Sequence, residues 1–566
     1  MSKTEKFYTA AGESLTGIPW NSYPRPQFRR ESFVCLNGDW EFAVGDAKEP
    51  QAYDRTIRVP FAPESLLSGI GEMFPEEPVM WYRRCFTLPE GFKRDRVLLH
   101  FGAVDQRAAV FVNGVLAGEH IGGYEAFSCD ITDLLQAENT VTVRVEDHLD
   151  GLLPYGKQCH KRGGMWYTPV SGIWQTVWLE SVPETYIRRL KIDVTDSRAT
   201  IFAEGVSDGQ VTVQTPYGEV TVPLTDGTAT VELEQPRLWS PEDPYLYDFT
   251  LETLTDRVSS YFALRTLEVR TVDGVPRLCL NGNPYFFHGL LDQGYWSDGL
   301  FTPATPEGYE QDILAMKTLG FNMLRKHIKV EAEQFYYDCD RLGMIVFQDM
   351  INNSDYSFFR DTALPTIGLL HRSDRHLHRD PASRRAFEKG MAQTVNQLYN
   401  HPCICCWTIF NEGWGQFCAD EQYDRLRSLD SSRFIDTASG WFTAKKTDVD
   451  SRHVYFRKVK LRVSDKPLFL SEFGGYSYKP EGHVFNTEQT YGYGKFESRE
   501  EFVKAVRALY TEQVLPLIGK GLCAAVYTQV SDIEDETNGL ITYDRRVAKL
   551  LPEEFADISK QLTERL

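Results

Sequence analysis

Two glutamates that follow apolar runs are the residues of this sequence best suited to chemistry. Asn411-Glu412 follows the run C-I-C-C-W-T-I-F (Cys403 to Phe410), and Glu472 lies in the run L-F-L-S-E-F-G-G (Leu468 to Gly475). An apolar run that stops at an acid followed by glycine is typical of a buried parallel strand that delivers a carboxylate to an open face. Two such strands predict two carboxylates in one cleft, where one donates a proton and the other attacks a sugar.

A simpler interpretation is that each acid only caps a helix that follows its strand. For a single glutamate at a strand end, that interpretation would be the better one. Here two strands share the pattern, and an amide immediately precedes one of the acids (Asn411-Glu412). The pair therefore favours cleavage of a glycosidic bond over helix capping.

The composition indicates a folded, acidic protein of several domains. The chain has 566 residues, is 42% hydrophobic and 13% aromatic, and carries a formal net charge of −19. This length exceeds what one core accommodates, and the aromatic residues are numerous enough to stack on carbohydrate. The acidic balance opposes binding to nucleic acid or to an anionic membrane, since both need clustered Lys and Arg. No cofactor is predicted, and the sequence leaves room for a homo-oligomer.

The cysteines and the N-terminal residues predict a cytoplasmic protein. The segment M-S-K-T-E-K-F-Y lacks the apolar core of a secretory signal, no run approaches the length of a membrane span, and the eleven cysteines have no regular spacing. Cys403, Cys405 and Cys406 lie close together, but on a strand Cys406 points away from the other two, so no metal site is predicted. The segment from Asn352 to Ala382 contains H-R-S-D-R-H-L-H-R-D, with three histidines. Metal binding is the alternative for this segment, but its alternating basic and acidic residues favour a solvated loop.

The first half of the chain is predicted to fold as two β-sandwiches. Short segments rich in β-branched residues, such as T-V-T-V-R-V from Thr140, are separated by turn pairs such as Asn113-Gly114. They indicate a jelly-roll sandwich over residues 1–182. The strand-rich stretch over residues 183–273 suits a small immunoglobulin-like sandwich.

Residues 274–566 are predicted to form a (β/α)8 barrel. A helix that opens at Thr305-Pro306 ends near Gly320 and is followed by the strand F-N-M-L-R, and Leu342-Gly343 then precedes the strand M-I-V-F-Q. This repeated order indicates βα units with parallel strands, whose C-terminal ends carry the chemistry in such barrels. The candidate strand ends are Phe287-His288, Arg325 to His327, Gln348-Asp349, Asn411-Glu412, Ala438 to Gly440, Val454-Tyr455, Glu472 and Tyr527 to Gln529. Glu412 would then end the fourth strand and Glu472 the seventh.

The sequence resembles the family-two glycoside hydrolases, which include β-galactosidases, β-glucuronidases and β-mannosidases. The resemblance covers nearly the whole chain in that family's domain order. In the first domain it rests on L-N-G-D-W-E-F, W-Y-R-R-C-F, F-V-N-G and G-I-W-Q-T-V-W-L-E, and in the barrel on F-F-H-G-L-L-D-Q-G-Y-W, G-F-N-M-L-R-K-H, W-T-I-F-N-E-G-W and L-S-E-F-G-G. Each string alone is moderately specific, but their joint occurrence in order is strongly so.

The resemblance implies a role for each candidate site residue. Glu412 would be the general acid/base and Glu472 the nucleophile. The implied substrate-binding residues are Asn411, which would bind the sugar 2-hydroxyl, His327, Asp292, Tyr455, which would contact the nucleophile, and Tyr527, at the position of an aromatic platform. The string H-V-Y-F-R around Tyr455 and the tyrosine at 527, where many members have tryptophan, depart from the family's usual pattern.

The sequence gives the least information about the identity of the substrate sugar. β-Glucuronidases of this family usually bind the substrate carboxylate with an Asn-x-Lys element, but the corresponding passage here, Asp535 to Asp544, has no lysine. Burying a carboxylate without a cation is costly, so a neutral hexoside, with β-galactoside first, is predicted. A β-glucuronide remains the alternative substrate, with Lys326 or Lys495 as the cation that would bind its carboxylate. An inactive carbohydrate-binding protein and a structural scaffold are the alternatives from other classes, and both intact carboxylates argue against them.

Overall fold

The first β-sandwich is antiparallel throughout. The computed structural model describes residues 4–74, 79–364, 374–442, 444–455 and 457–565. Within those ranges the sandwich pairs a sheet of order β1-β12-β5-β9 with a sheet of order β3-β2-β4-β10-β7-β8, and β6 pairs with β11. Its strands are β1 (Val34–Cys35), β2 (Gly38–Gly45), β3 (Arg55–Val59), β4 (Val79–Phe86), β5 (Arg96–Phe101), β6 (Val104–Asp105), β7 (Arg107–Val112), β8 (Val115–Ile121), β9 (Phe127–Asp130), β10 (Asn139–Glu146), β11 (Gly172–Ile173) and β12 (Val177–Val182). Alternating side chains such as Trp40 and Phe42 fill the core between the sheets.

A second, smaller sandwich follows. Sheets of order β13-β14-β17 and β16-β15-β18-β19 enclose a separate apolar core, and a short antiparallel sheet, β20-β21-β22, leads to the next domain. The strands are β13 (Arg189–Val194), β14 (Arg198–Glu204), β15 (Gly209–Thr215), β16 (Gly218–Leu224), β17 (Thr228–Glu232), β18 (Tyr247–Glu252), β19 (Arg257–Phe262), β20 (Leu267–Val272), β21 (Val275–Leu280) and β22 (Asn283–Pro284).

The rest of the chain forms a parallel barrel. Its ladder runs through the described residues in the order β27-β26-β25-β24-β23-β32-β29-β28, so the first and last barrel strands, β23 and β32, lie side by side. The barrel strands are β23 (Phe287–Asp292), β24 (Met323–Lys326), β25 (Ile345–Asp349), β26 (Ile404–Asn411), β27 (Phe434–Ser439), β28 (Asp450–Val454), β29 (Leu468–Gly474) and β32 (Leu522–Thr528), with a small pair β30 (Tyr476–Tyr478) and β31 (Gly494–Phe496). The predicted order of jelly-roll, immunoglobulin-like sandwich and barrel is confirmed, while the exact domain boundaries stay predictions.

Helices cover the outside of the barrel. They are α2 (Glu307–Thr318), α3 (Glu333–Leu342), α4 (Pro381–Leu398), α5 (Ala419–Leu429), α6 (Arg499–Leu509), α7 (Leu515–Ile518) and α8 (Ala556–Glu564). A further short helix, α1 (Ala10–Glu13), precedes the first sandwich. Helix α2 begins one residue after the predicted first helical residue, with Pro306 as its N-cap. Gly320 ends this unit with a φ of 88°, and a Cβ there would overlap Ser559.

The described helices, cysteines and histidines bear on the predictions made above for membrane spans, metal sites and the histidine-containing loop. None of the helices described is long and apolar enough to cross a membrane. The cysteines described are all unpaired, and Cys403, Cys405 and Cys406 are buried. In the predicted histidine-containing loop, His371 lies outside the described residues, His376 is exposed, and the ring of His378 is buried 3.8 Å from Asp355.

Candidate active site

The two glutamates singled out in the sequence meet at the C-terminal end of the barrel. Glu412 directly follows β26, and Glu472 lies on β29, where it is in register with His453 of β28. Their carboxylate oxygens and a ring nitrogen of His453 all lie within 4.8 Å of one another. Nδ1 of His453 is 2.8 Å from Glu412, and Nε2 is 3.5 Å from Glu472. One imidazole therefore bridges the two acids.

The backbone at the end of β26 aims Glu412 into this cluster. Every residue of β26 is buried, and the strand is hydrogen-bonded between β25 and β27, which fixes its direction. Glu412 then has a φ of 52°, and its N–H donates to the carbonyl of Ser439 at 2.9 Å. Gly413 continues the turn with a φ of 75°, and a Cβ there would overlap the ring of Phe442. The sharp turn after the strand is the reason that glycine follows the acid.

Arg325, on β24, connects the acids to the barrel interior. Its side chain is fully buried and donates to Glu472 at 3.1 Å and to the amide oxygen of Asn411 at 2.9 Å. The same guanidinium forms two hydrogen bonds to Asp349 of β25, at 2.9 and 3.0 Å. Such a forked pair holds both groups in one orientation. Arg325 thereby positions Asn411 and Glu472 relative to each other.

The surroundings of Glu472 favour its ionised form. Burial alone would raise its pKa, but His453, the Arg325 guanidinium and a hydrogen bond from the Tyr455 hydroxyl lower the pKa to about 2. The Tyr455 hydroxyl donates to Glu472 at 2.5 Å and contacts Thr528 at 2.8 Å. The ring of Tyr455 stacks on that of Tyr493, with centroids 3.8 Å apart. Glu472 is therefore a carboxylate at neutral pH and is fixed through both of its oxygens.

His327 lies beside the same cluster in its neutral form. Burial and, secondarily, the charge of Lys157 lower its pKa to about 4. Its Nδ1 is 2.7 Å from Asp349, which fixes the ring. Since Asp349 accepts that hydrogen bond, Nε2 of the neutral ring is left as an acceptor.

A pocket opens over the two acids. Its lining includes Asn411, Glu412, Glu472, His327 and Tyr455, five of the seven site residues predicted from the sequence. The other lining residues are Lys157, Met165, Trp166, Leu291, Gln293, Tyr356, Trp414, Tyr491, Tyr493, Thr528, Glu536 and Asn538. Two segments supply residues that the sequence did not single out: the sandwich loop, residues 147–171, and the β32 loop, residues 529–551.

The sandwich loop is anchored to the barrel by hydrogen bonds. The N–H of Tyr155 donates to the carbonyl of Asn352 at 3.0 Å, and the Tyr155 hydroxyl donates to the carbonyl of Ser354 at 2.8 Å. The Tyr167 hydroxyl donates to Glu536 at 2.9 Å. The first domain therefore forms one wall of the pocket.

The structure places the two remaining predicted residues outside the pocket lining. Asp292 accepts from the ammonium of Lys326 at 2.7 Å and from the N–H of Gly294 at 2.9 Å, while its neighbour Gln293 lines the pocket. Tyr527 is fully buried and packs edge-on against Phe473. The side chain after it, Thr528, reaches the pocket, because successive strand residues face opposite sides.

The two lysines considered for a uronate are also outside the pocket lining. Lys326 is buried and forms ion pairs with Asp292 at 2.7 Å and Glu331 at 2.9 Å. Lys495 is an exposed residue of β31. The lysine that does line the pocket is Lys157, from the sandwich loop.

Sequence patterns did not identify several residues that contribute to the site. His453 precedes the predicted strand end Val454-Tyr455, and a histidine at a barrel strand end was a signal that could have identified it. Lys157, Trp166 and Glu536 lie in loops without periodicity, and only the tertiary fold brings them to the pocket.

The geometry of Glu412, His453 and Glu472 would also suit a metal ion. However, both oxygens of Glu472 already accept hydrogen bonds, from Arg325 and Tyr455, and the guanidinium is a fixed positive charge at the same spot. A cation would have to displace or oppose it. The arrangement therefore favours catalytic carboxylates over metal ligands.

Comparison with known families agrees with the fold. Residues 49–183 match the description "Glycosyl hydrolases family 2, sugar binding domain", residues 186–265 match "Glycosyl hydrolases family 2", and residues 275–479 match "Glycosyl hydrolases family 2, TIM barrel domain". The chain belongs to glycosyl hydrolase family 2. The family-two sugar binding domain is thus the one that carries the sandwich loop.

Relatives within family 2 carry different activities in their names. The chain is 27% identical over 410 residues to a β-galactosidase of Thermoanaerobacter pseudethanolicus, covering 66% of this chain and 51% of the relative. It is 26% identical over 446 residues to a β-glucuronidase of Felis catus, covering 69% of this chain and 65% of the relative. The chain therefore spans between half and two-thirds of the length of these relatives.

Solved structures share the whole fold. A β-D-glucuronidase of Dictyoglomus thermophilum superposes with a TM-score of 0.74 at 17% identity, covering 95% of this chain and 98% of that one. A family-two β-galacturonidase of Eisenbergiella tayi, bound to galacturonate, superposes with a TM-score of 0.68 at 19% identity, covering 96% of this chain and 99% of that one. At these identities the likeness shows the fold alone.

Proposed function

We propose that this protein is a retaining exo-β-glycosidase. The observation that carries the proposal is that carboxylate oxygens of Glu412 and Glu472 lie within 4.8 Å of each other in one pocket. Retaining glycosidases hold their two carboxyl groups about 5–5.5 Å apart, whereas inverting ones keep about 6.5–9.5 Å to admit a water molecule. The spacing here supports direct attack on the sugar by one of the acids.

The surroundings of the acids support a division of roles. Glu472, with its pKa lowered to about 2, is the nucleophile that attacks the anomeric carbon. Glu412 donates a proton to the departing glycosidic oxygen. Glu472 is then esterified, and Glu412 takes a proton from the water that hydrolyses this ester, which returns both acids to their starting states. Asn411, held by Arg325, is placed beside both acids to bind the sugar 2-hydroxyl.

The proposed substrate is a terminal, neutral β-hexoside, with β-galactoside favoured. The β32 loop has no lysine between Asp535 and Leu540, Lys326 is committed to two carboxylates, and Lys495 is outside the pocket lining. Family relatives named as β-galactosidases and as β-glucuronidases are both compatible with the site. The absence of a uronate-binding lysine at the usual position supports the neutral sugar.

Trapping the glycosyl-enzyme tests the proposal directly. Incubation with an activated 2-deoxy-2-fluoro-β-galactoside should add one fluoroglycosyl group to Glu472, seen by mass spectrometry of the intact protein and its peptides. Glu472→Gln should neither be labelled nor turn over aryl glycosides. Glu412→Ala should retain hydrolysis of activated aryl glycosides, and azide should accelerate it with formation of a β-glycosyl azide. A protein that binds sugars but hydrolyses no aryl β-glycoside would contradict the proposal.

A further inference from the structure

Lys157 brings a positive charge from the first domain into the pocket of the barrel. It lies on the sandwich loop, is half-buried and lines the pocket together with both catalytic acids. In the described part of the chain, no carboxylate lies within ion-pair distance of its ammonium. Its Nζ lies over the face of Tyr167, 5.8 Å from the ring centre. The three donors of this ammonium are thus available to a molecule in the pocket.

Glu536 brings a negative charge to the same pocket, from the barrel rather than from the sandwich. It lies on the β32 loop and lines the pocket, although its side chain is almost entirely buried. One carboxylate oxygen accepts from the Tyr167 hydroxyl at 2.9 Å, and the other accepts from the Gln529 amide at 2.8 Å. Each oxygen has a further lone pair for a substrate.

Tyr167 contacts both charged groups. Lys157 lies over the face of its ring, and Glu536 is bonded to its hydroxyl, yet the two charged groups do not form a direct ion pair. Burial raises the pKa of Glu536, and the nearby charge of Lys157 opposes that rise. Glu472, which lines the same pocket, also raises the pKa of Glu536.

We propose that Lys157 and Glu536 together select an uncharged glycone, by binding its hydroxyl groups with an ammonium and a carboxylate and by excluding a uronate. The inference rests on the proposed glycosidase function and deepens it. Hydroxyl groups both donate and accept hydrogen bonds, so they satisfy an ammonium and a carboxylate at once. A uronate carboxylate only accepts, and beside Glu536 it is a like charge in a buried site. Lys157 is the attractive element and Glu536 the repulsive one.

The side chain of Gln293 adds a donor to the same pocket. Its amide nitrogen is buried and has no hydrogen-bond partner within the described ranges. It lines the pocket beside Leu291. A donor of this kind suits a hydroxyl oxygen, so Gln293 adds a neutral donor to the ammonium of Lys157 and the carboxylate of Glu536.

The test compares neutral and acidic substrates across matched variants. kcat/KM is measured for nitrophenyl β-galactoside, β-glucoside, β-galacturonide and β-glucuronide with the wild type, Lys157→Met and Glu536→Gln. Asp535→Asn is the control for Glu536, because it removes the same charge one residue away, where the side chain binds Asn486 outside the pocket lining. Lys161→Met is the control for Lys157, since Lys161 is an exposed residue of the same loop.

The expected results separate the two charges. Glu536→Gln should raise the ratio of uronide to hexoside kcat/KM at least about tenfold, while Asp535→Asn leaves that ratio unchanged. Lys157→Met should lower kcat/KM for the neutral hexosides about tenfold, mainly through KM, while Lys161→Met does not. In the wild type, galactose should inhibit more strongly than glucuronate or galacturonate, and this measurement needs no variant to fold.

Three outcomes would overturn the inference while leaving the glycosidase proposal intact. They are a wild type that prefers uronides, a Glu536→Gln variant with an unchanged substrate ratio, and a Lys157→Met variant that loses uronide cleavage alone. The last would show that Lys157 receives a carboxylate. Failure of the proposed function would look different, because no variant and no wild-type preparation would then hydrolyse any of the four glycosides.

Discussion

Nδ1 of His453 lies 2.8 Å from a carboxylate oxygen of Glu412. This contact orients the acid that we assign as proton donor, so its loss should matter most when the leaving group needs protonation. We expect His453→Phe to lower kcat/KM for an alkyl or phenyl β-glycoside by about a hundredfold and for a dinitrophenyl glycoside by about tenfold or less. His453→Asn, which keeps a donor near the Nδ1 position, should recover part of the loss. Equal losses for good and poor leaving groups would argue against this role.

Removal of the Tyr455 hydroxyl should shift the acidic limb of the pH profile upward. Tyr455 donates to Glu472 at 2.5 Å, and this bond helps to hold the pKa of that carboxylate at about 2. Glu472 must be ionised to attack, so activity is present above its pKa and is lost as the pH falls through it. In Tyr455→Phe the pKa rises, and kcat/KM should fall at a pH about one unit higher than in the wild type. A lower rate at every pH with an unmoved acidic limb would show that the hydroxyl acts in another way.

The Arg325–Asp349 pair should be worth far more to stability than an exposed pair of the same type. Both side chains are buried, and Asp349→Asn removes the forked ion pair of the guanidinium, whose described ion-pair partner is then Glu472. We expect this change to destabilise the barrel by about 3–5 kcal/mol. Glu41→Gln, which breaks the half-exposed pair with Arg83, should cost at most about 1 kcal/mol. Calorimetric unfolding of both variants measures the contrast, and similar midpoints would contradict it.

Trp166 should contribute to binding without contributing to the chemical step. Its ring makes edge-to-face contacts with Trp414 and Tyr356, each at 4.9 Å, in the pocket wall. Trp166→Ala removes aromatic surface, and we expect KM for aryl glycosides to rise about tenfold with kcat nearly unchanged. Tyr217→Ala, at a tyrosine that is 74% exposed, is a control that should alter neither constant. A large fall in kcat for Trp166→Ala would point to a disturbed carboxylate cluster instead.

The candidate residues that the structure brings into the pocket are those with a local signature in the sequence. An acid after an all-apolar run, as at Glu412, has few uses other than at the end of a buried strand, and the barrel brings such ends together. Asp292 and Tyr527 were also expected to meet the sugar, but strand alternation and the ion pair with Lys326 direct them elsewhere. Position along a strand was predictable to within about one residue, and one residue is enough to reverse the face of a side chain.

The pocket residues supplied by other domains had no such signature. Lys157 lies in a loop of the first sandwich, more than a hundred residues before the first barrel strand. Nothing in the adjacent sequence indicates that it lines the pocket of the barrel. In our proposal the charge of the pocket, and with it the choice of sugar, depends on where this loop lies. Sequence patterns therefore indicated the two acids that we assign to the reaction more readily than the groups that we propose to select the substrate.

The pairing of β23 with β32 imposes an order on synthesis. These strands are neighbours in the barrel, yet Phe287 and its partner Ala524 are separated by most of the domain's sequence. During translation β23 must wait with one edge unpaired until β32 emerges, although the sandwich that will form the pocket wall is already complete. If translation stopped before Leu522, the released chain would have a folded sandwich and an unpaired, apolar sheet edge. Such a chain would aggregate rather than act as an enzyme of reduced activity.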